Sequence, residues 1–416
     1  MPLRLLIFLT AINLLNYFDR YIVHAVEPLL RADFALTNAQ SGFVGAAFVV
    51  GYVIFSPLFG YLGDRLDRRL LMALGLLAWS LVTGLTSVAS GFYSFVTLRA
   101  LVGVGEASFS AIVPGYLKGR VSDTIALNSA LSIFYVAIPV GSALGYVAGG
   151  ITAEHWGWRA LFGAAAIPGI LLALGFWFVP PDKREGDSSA VQQDVTSGVR
   201  SILSSRVLRL TILGYIFNTF ALNGVAYFVA RYGSSLGMEI AKVDWYFGII
   251  LVITGILGTL GGGGLASWYA KRSASQLEAL LLFVSGTTLL GVPFLCAAFL
   301  VGSPQLFFAA CFFAELALFA GVAPLNSVIV ARAPDGLETL TQGVTIFAIQ
   351  LFGGALAPII IGTLADILLS HFAEFAPTSG IALGYALQLS TVAMVFSAVI
   401  WFMAALRERS KSAASV

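Results

Sequence analysis

Twelve apolar stretches of roughly 20 residues, the length a helix needs to cross the hydrocarbon of a bilayer, follow one another through this 416-residue chain and leave few folds open to it. They lie at residues 3–30, 39–62, 70–90, 92–117, 125–150, 159–180, 207–233, 243–267, 276–301, 304–331, 340–369 and 380–405. None alternates polar and apolar residues with a period of two, as a strand of a membrane barrel would. With 58% hydrophobic and 11% charged residues, the chain cannot clothe a water-facing surface. The expected fold class is an all-α membrane protein with twelve transmembrane helices.

One polar stretch, Pro180-Pro181-Asp182 through Asp194, interrupts this rhythm near the middle of the chain and divides six spans from six. The expected organisation is a six-helix bundle over 1–180, a cytoplasmic linker over 181–206 and a second six-helix bundle over 207–416. A short interfacial helix is expected within Val195–Arg206. A faint internal repeat appears when the fifth span is laid on the eleventh: Ile133-Phe134 falls on Ile346-Phe347, Gly141 on Gly354 and Gly149 on Gly362. Parallel half-repeats place a binding cavity between the halves near mid-membrane. Lys and Arg crowd the even-numbered loops and the tail, as in Arg65, Arg68, Arg69, Lys118, Arg120, Lys271, Arg272 and Arg407. That bias puts both termini in the cytoplasm of a multi-pass plasma membrane protein. It also accounts for the basic residues without a nucleic-acid partner.

Charges at membrane depth are costly and usually functional. Two such patches occur: Asp19-Arg20 within the first span, and Arg99 with Glu106 within the fourth. At 100° per residue, Asn13, Asn16, Arg20, His24 and Glu27 fall within about an 80° arc of the first helix, with Asp19 one step outside. Arg99, Gly103, Glu106 and Ser110 form a similar stripe on the fourth. Counting helical rise, Asp19 and Arg99 reach nearly the same depth, so Arg99 is expected to pair with Asp19 across helices while Glu106 lies near the midplane. Protonation of Asp19 or Glu106 would then free Arg20 or Arg99 to engage or release an anionic headgroup. The alternative is a static ion network that only fixes helix packing.

The loop between the second and third spans reads Gly60-Tyr-Leu-Gly-Asp64-Arg65-Leu-Asp67-Arg68-Arg69. It resembles the signature loop of the major facilitator superfamily, G-x-L-A-D-R-x-G-R-R, with Asp67 where that pattern has Gly. Gly60 permits close helix approach, Asp64 can cap or ion-pair at a helix end, and the three arginines are expected at the cytoplasmic surface. The second-half counterpart, Gly263-Gly264-Leu265-Ala266-Ser267, carries Ser267 at the place of the aspartate. Four local stretches resemble the spinster branch: Asn16–Tyr21, Gly60–Arg65, Arg99 through Ser108, and Ala137–Gly145.

This resemblance implies a fold of two six-helix bundles and an alternating-access transporter of lysophospholipid-like or sphingoid-like amphiphiles. It implies Asp19 and Glu106 as proton-coupling residues and Arg20 and Arg99 as headgroup-facing ones, in a monomer of the bacterial inner membrane. Asn13 and Asn16 join them as expected substrate contacts. In the second half, Glu315 shares a helix face with Phe308, Phe312 and Phe319, a candidate tail wall. Pro139 and Gly141 are expected to let the fifth span bend and pack at the rocking interface between halves. Other readings of the chain are a multidrug or small-solute facilitator or exporter, and a membrane sensor without transport. No metal-ligand spacing, nucleophile elbow or phosphate-cradling loop occurs, so neither catalytic nor metal-binding residues are expected. No cofactor is expected beyond a proton gradient.

Overall fold

A computed structural model describes residues 2–36, 38–179, 194–300, 302–372 and 378–414. Twelve helices in it have the length and apolar character to cross a membrane: Leu3–Asp33, Ala46–Gly63, Arg68–Thr86, Phe92–Lys118, Thr124–Gly149, His155–Phe178, Arg206–Ser235, Lys242–Lys271, Gln276–Ala298, Pro304–Ala331, Glu338–His371 and Ser379–Ser410. They are spans 1 to 12 below, and they match the sequence reading within a few residues at nearly every end. The first half of the expected linker, residues 181–193, lies outside the described residues. Its remainder forms the helix Val195–Ser204, started by Asp194, whose carboxylate accepts the Ser197 N–H at 3.0 Å. The Ser197 side chain and, second to it, this N–H hold the Asp194 carboxyl below its ordinary value.

The helices gather into two compact units, Met1–Ser122 with Ile133–Ile202 and Ala333–Phe347, and Asp123–Ser132 with Leu203–Arg332 and Ala348–Val416. These follow the sequence halves except at the starts of spans 5 and 11, where each short segment packs with helices from the other half of the chain. In the first unit, Phe95, Trp158 and Phe162 pack edge to face around Ile22, Val26 and Leu161. In the second, Phe228, Tyr232, Phe299 and Phe307 form the corresponding aromatic core.

Span 5 breaks at Val136, between the helical stretches Thr124–Tyr135 and Ala137–Gly175. The cause is three residues on, since Pro139 has no N–H for the Tyr135 carbonyl. The bend expected at Pro139 is therefore present. A Cβ at Gly141 would collide with the Leu14 carbonyl of span 1, and Gly145 and Gly149 pack on Phe18 and Ala25 of the same helix. Gly141 serves close packing inside the first unit, because its small surface is matched by the backbone of span 1. In the second unit the register differs by one residue: Gly353, not Gly354, meets the Ile216 carbonyl of span 7, while Gly362 meets the Phe228 ring.

The glycine run Gly261–Gly264 adjoins a π-helical turn, Leu257–Gly262, and a second such turn, Ile349–Ala355, interrupts span 11. Such turns widen a helix locally and recur at functional positions.

Candidate transport site

Spans 2 and 4 touch where neither presents a side chain. A Cβ at Gly51 would run into the Ala100 carbonyl, and one at Gly103 into the Phe48 carbonyl. This backbone contact carries Phe48 and Tyr52 inward, next to the charges of spans 1 and 4. Asn16, Asp19, Arg99 and Glu106 are each no more than 1% exposed, so the whole constellation is withdrawn from the protein surface.

The pairing differs from the expected one. Arg20, not Arg99, meets an acid: its Nε donates to Glu106 Oε2 at 2.8 Å. Arg99 Nη2 reaches only the backbone oxygen of Asp19, at 3.4 Å, and both Asp19 carboxylate oxygens lack a hydrogen-bond partner among the described residues. Side-chain direction explains this. Helical side chains lean toward the N-terminus of their own helix, and spans 1 and 4 run in opposite senses. Arg20 is thereby carried toward the level of Glu106, and Arg99 away from it.

The unmet hydrogen-bonding capacity is concentrated here. Both side-chain atoms of Asn16, Arg20 Nη2, Arg99 Nε and Nη1, Glu106 Oε1, Trp79 Nε1, Ser80 Oγ and Thr83 Oγ1 are buried without partners. Buried polar groups are nearly always paired, so such a cluster is poised for a ligand, water or a proton. Asn13 does not belong with it: its amide donates to the Phe134 carbonyl at 3.0 Å, beside the break in span 5, which makes it a packing contact. His24 is exposed, with its ring centre 5.7 Å from that of Tyr21.

In the second unit Glu315 is buried, with Oε2 unpartnered. Phe312 and Phe319 are half-buried on the same helix, Pro304–Ala320, and Phe308 packs into the aromatic core.

The signature loop makes a second polar centre. Asp64 Oδ1 accepts the Thr339 N–H at 3.0 Å and its hydroxyl at 2.6 Å, while Oδ2 accepts the Leu340 N–H at 2.8 Å. These N–H groups belong to the first turn of the helix starting at Glu338, whose donors have no intrahelical acceptor. Asp64 is a helix cap supplied from another part of the chain. Burial pushes its carboxyl above the ordinary carboxylate value, against the lowering effect of Thr339, Leu340 and Arg68. Gly60 lies against the Thr339 and Leu340 backbone, and its carbonyl takes the Thr339 hydroxyl at 2.5 Å.

Arg68 is not at the surface as expected. It is buried and donates to Gly63 O, Gly115 O, Asp64 and Glu338, and Glu338 also pairs with Lys118 at 3.1 Å. Four acceptors within reach make burial of a guanidinium tolerable. Arg65 stays partly exposed over the Tyr61 ring, and Arg69 donates to the Val179 carbonyl at 3.0 Å. Asp67, the departure from the family pattern, caps span 3 by accepting the N–H groups of Arg69 and Leu70.

The second-half counterpart works without charge. Asn128 Nδ2 donates to Gly263 O at 2.8 Å and to Ser267 Oγ at 3.0 Å. Reading the sequence alone missed Asn128, Glu338 and Thr339, because their partners lie 135 to 279 residues away. It also missed Trp79, Ser80 and Thr83; the i, i+3 spacing of the hydroxyls Ser80, Thr83 and Thr86 along span 3 was the available signal.

Twelve bilayer-length helices with buried, partly unsatisfied charges define a polytopic membrane protein of a class that keeps polar groups at membrane depth. Comparison with known proteins agrees with that class. The sequence pattern of the Major Facilitator Superfamily matches residues 9–358. Relatives include Protein spinster of Drosophila melanogaster, 29% identical over 386 residues covering 89% of this chain and 63% of that protein. Protein spinster homolog 1 of Xenopus tropicalis is 31% identical, covering 87% of this chain and 72% of its own. The chain belongs to the spinster family of the Major Facilitator Superfamily. It is therefore a transporter-family protein and not an enzyme.

Two solved structures share the fold: a bacterial homologue of the human lysosomal transporter spinster (TM-score 0.63, 22% identity, 97% of both chains) and a proton:xylose symporter (TM-score 0.72, 18% identity, 96% and 94%). Among further relatives are a probable sphingolipid transporter of Arabidopsis thaliana, 28% identical over 88% of this chain and 83% of its own. A sphingosine-1-phosphate transporter of Xenopus tropicalis is 27% identical over 95% and 80%.

Proposed function

We propose that this protein carries a lipid-like amphiphile, of lysophospholipid or sphingoid type, across the membrane by alternating access coupled to protons. The observation that carries the proposal is the set Asp19, Arg20, Arg99 and Glu106, in which Glu106 is ion-paired with Arg20 and the Asp19 carboxylate has no hydrogen-bond partner among the described residues. An ion pair that only stabilised packing would be expected to satisfy both acids, since an unpaired buried carboxylate is costly. An acid that can take up a proton, next to arginines with free N–H groups, is suited to exchanging a proton for an anionic headgroup. Glu315 with Phe312 and Phe319 is assigned to the tail side. The names of the sphingolipid-transporting relatives support the substrate class. The basic loops support cytoplasmic termini; the protein would act as a monomer of a bacterial inner membrane.

The test is reconstitution in liposomes with an imposed proton gradient and an enclosed pH dye, followed by addition of a lysophospholipid or a sphingoid phosphate. Amphiphile-dependent proton flux is the expected result, reduced in Glu106→Gln and Asp19→Asn. Uptake that ignores the gradient would replace coupling with facilitated diffusion, and no uptake of either lipid would overturn the substrate class.

A further inference from the structure

Arg20 has a second set of neighbours besides its acid. The carbon of its guanidinium lies 4.8 Å from the ring centre of Tyr17, 4.7 Å from that of Phe48 and 4.4 Å from that of Tyr52. Phe48 and Tyr52, four residues apart on one face of span 2, stack at 5.5 Å with 22° between their planes. Phe48 also lies 5.6 Å from the guanidinium of Arg99, so one ring serves both arginines. This placement depends on the Gly51 and Gly103 contact that brings spans 2 and 4 together.

The electron-rich face of an aromatic ring attracts a guanidinium, more strongly once water is excluded. A carboxylate beside the arginine supplies most of its countercharge. When that acid is protonated, the countercharge disappears but the rings remain. We propose that Tyr17, Phe48 and Tyr52 form a cage that takes over the Arg20 guanidinium when Glu106 takes up a proton, and that the cage sets the pH at which this happens. The inference rests on the proton-coupling reading of Glu106 and adds three positioning residues to it.

The groups facing Glu106 are Arg20 and Asp19 from span 1, with the amide of Asn16, and Arg99 from its own span. Those facing Arg20 are Glu106, Tyr17, Tyr52 and Arg99. While Glu106 is charged it shares the guanidinium with the rings; once it is protonated the guanidinium settles against the rings alone, and with the rings removed that gain is lost. Glu106 would then hold its charge down to lower pH.

The experiment replaces Phe48 with mono-, di- and trifluorinated phenylalanine, which drains the ring face with little change of volume, and reads the pH midpoint of lipid-dependent proton flux in liposomes. The expected result is a stepwise move of the midpoint toward acid, about 0.5 pH unit across the series, and about one unit for Tyr52→Leu. Phe48→Leu shifts it likewise and Phe48→Tyr restores it. A midpoint unchanged across the fluorinated series overturns the cage, even if Tyr52→Leu fails to fold. Glu106→Gln separates the two readings. If it flattens the pH profile while the fluorinated series is silent, the cage alone falls; if it leaves the profile intact, the coupling role of Glu106 falls and the cage with it.

Discussion

Removing the cap that Asp64 places on the helix beginning at Glu338 gives a stability loss that can be worked out bond by bond. In Asp64→Ala the N–H groups of Thr339 and Leu340 stay buried with no acceptor, the Thr339 hydroxyl keeps only the Gly60 carbonyl, and Arg68 keeps Glu338. Each orphaned donor costs about 1–3 kcal/mol, but a buried carboxylate carries its own desolvation penalty, which its removal relieves. The expected net loss is about 3 kcal/mol, or roughly a hundredfold in the unfolding equilibrium. Asp64→Asn should lose less, since it keeps one acceptor and buries no charge.

The pH dependence has a definite sign. A carboxyl whose folded pKa is raised binds its proton more tightly in the native state, so its contribution to stability falls as pH climbs from the ordinary carboxylate value through the folded one. That component should vanish in both variants. Denaturant titration in detergent micelles, repeated across pH, measures all three quantities. Combining Asp64→Ala with Thr339→Val should cost about 1 kcal/mol less than the sum of the single losses. Strict additivity, or a loss below about 1 kcal/mol for Asp64→Ala, would refute the capping argument.

The other outcomes can be stated briefly. Glu106→Ala should destabilise by about 3–5 kcal/mol because it strands the Arg20 charge, while Arg20→Leu combined with Glu106→Leu should recover much of that loss in the same titration. Gly103→Ala should abolish the monodisperse folded protein in size-exclusion chromatography, since its methyl group has only the rigid Phe48 backbone to displace. Asp67→Ala should cost about 1 kcal/mol, and Asp67→Gly only a few tenths, because glycine is also a competent helix start; thermal unfolding would rank them.

The twelve spans were legible because bilayer thickness imposes one length on every crossing, and that length survives in the sequence without knowledge of neighbours. The stripes on spans 1 and 4 were legible for a similar reason, since helical periodicity alone gathers Asn16, Arg20, Arg99 and Glu106. Which arginine meets which acid was not, because it depends on the direction in which each side chain leans along oppositely directed helices. The burial of Arg68 was hidden by the very rule that located it: charge counting places basic residues at one membrane face and says nothing of Gly115 and Glu338 approaching from elsewhere. Asn128 and Thr339 look like ordinary polar residues at helix starts until their distant partners are seen.

The two related seams, one at Asp64 and one at Ser267, use different chemistry for the same task. An amide and a hydroxyl keep their bonding pattern over any pH a cell meets, so the Asn128 seam is blind to acid, whereas the Asp64 seam contains a group that titrates. A fall in pH would therefore act on one of these structural duplicates and spare the other, giving a protein built from similar halves a built-in sense of which half responds.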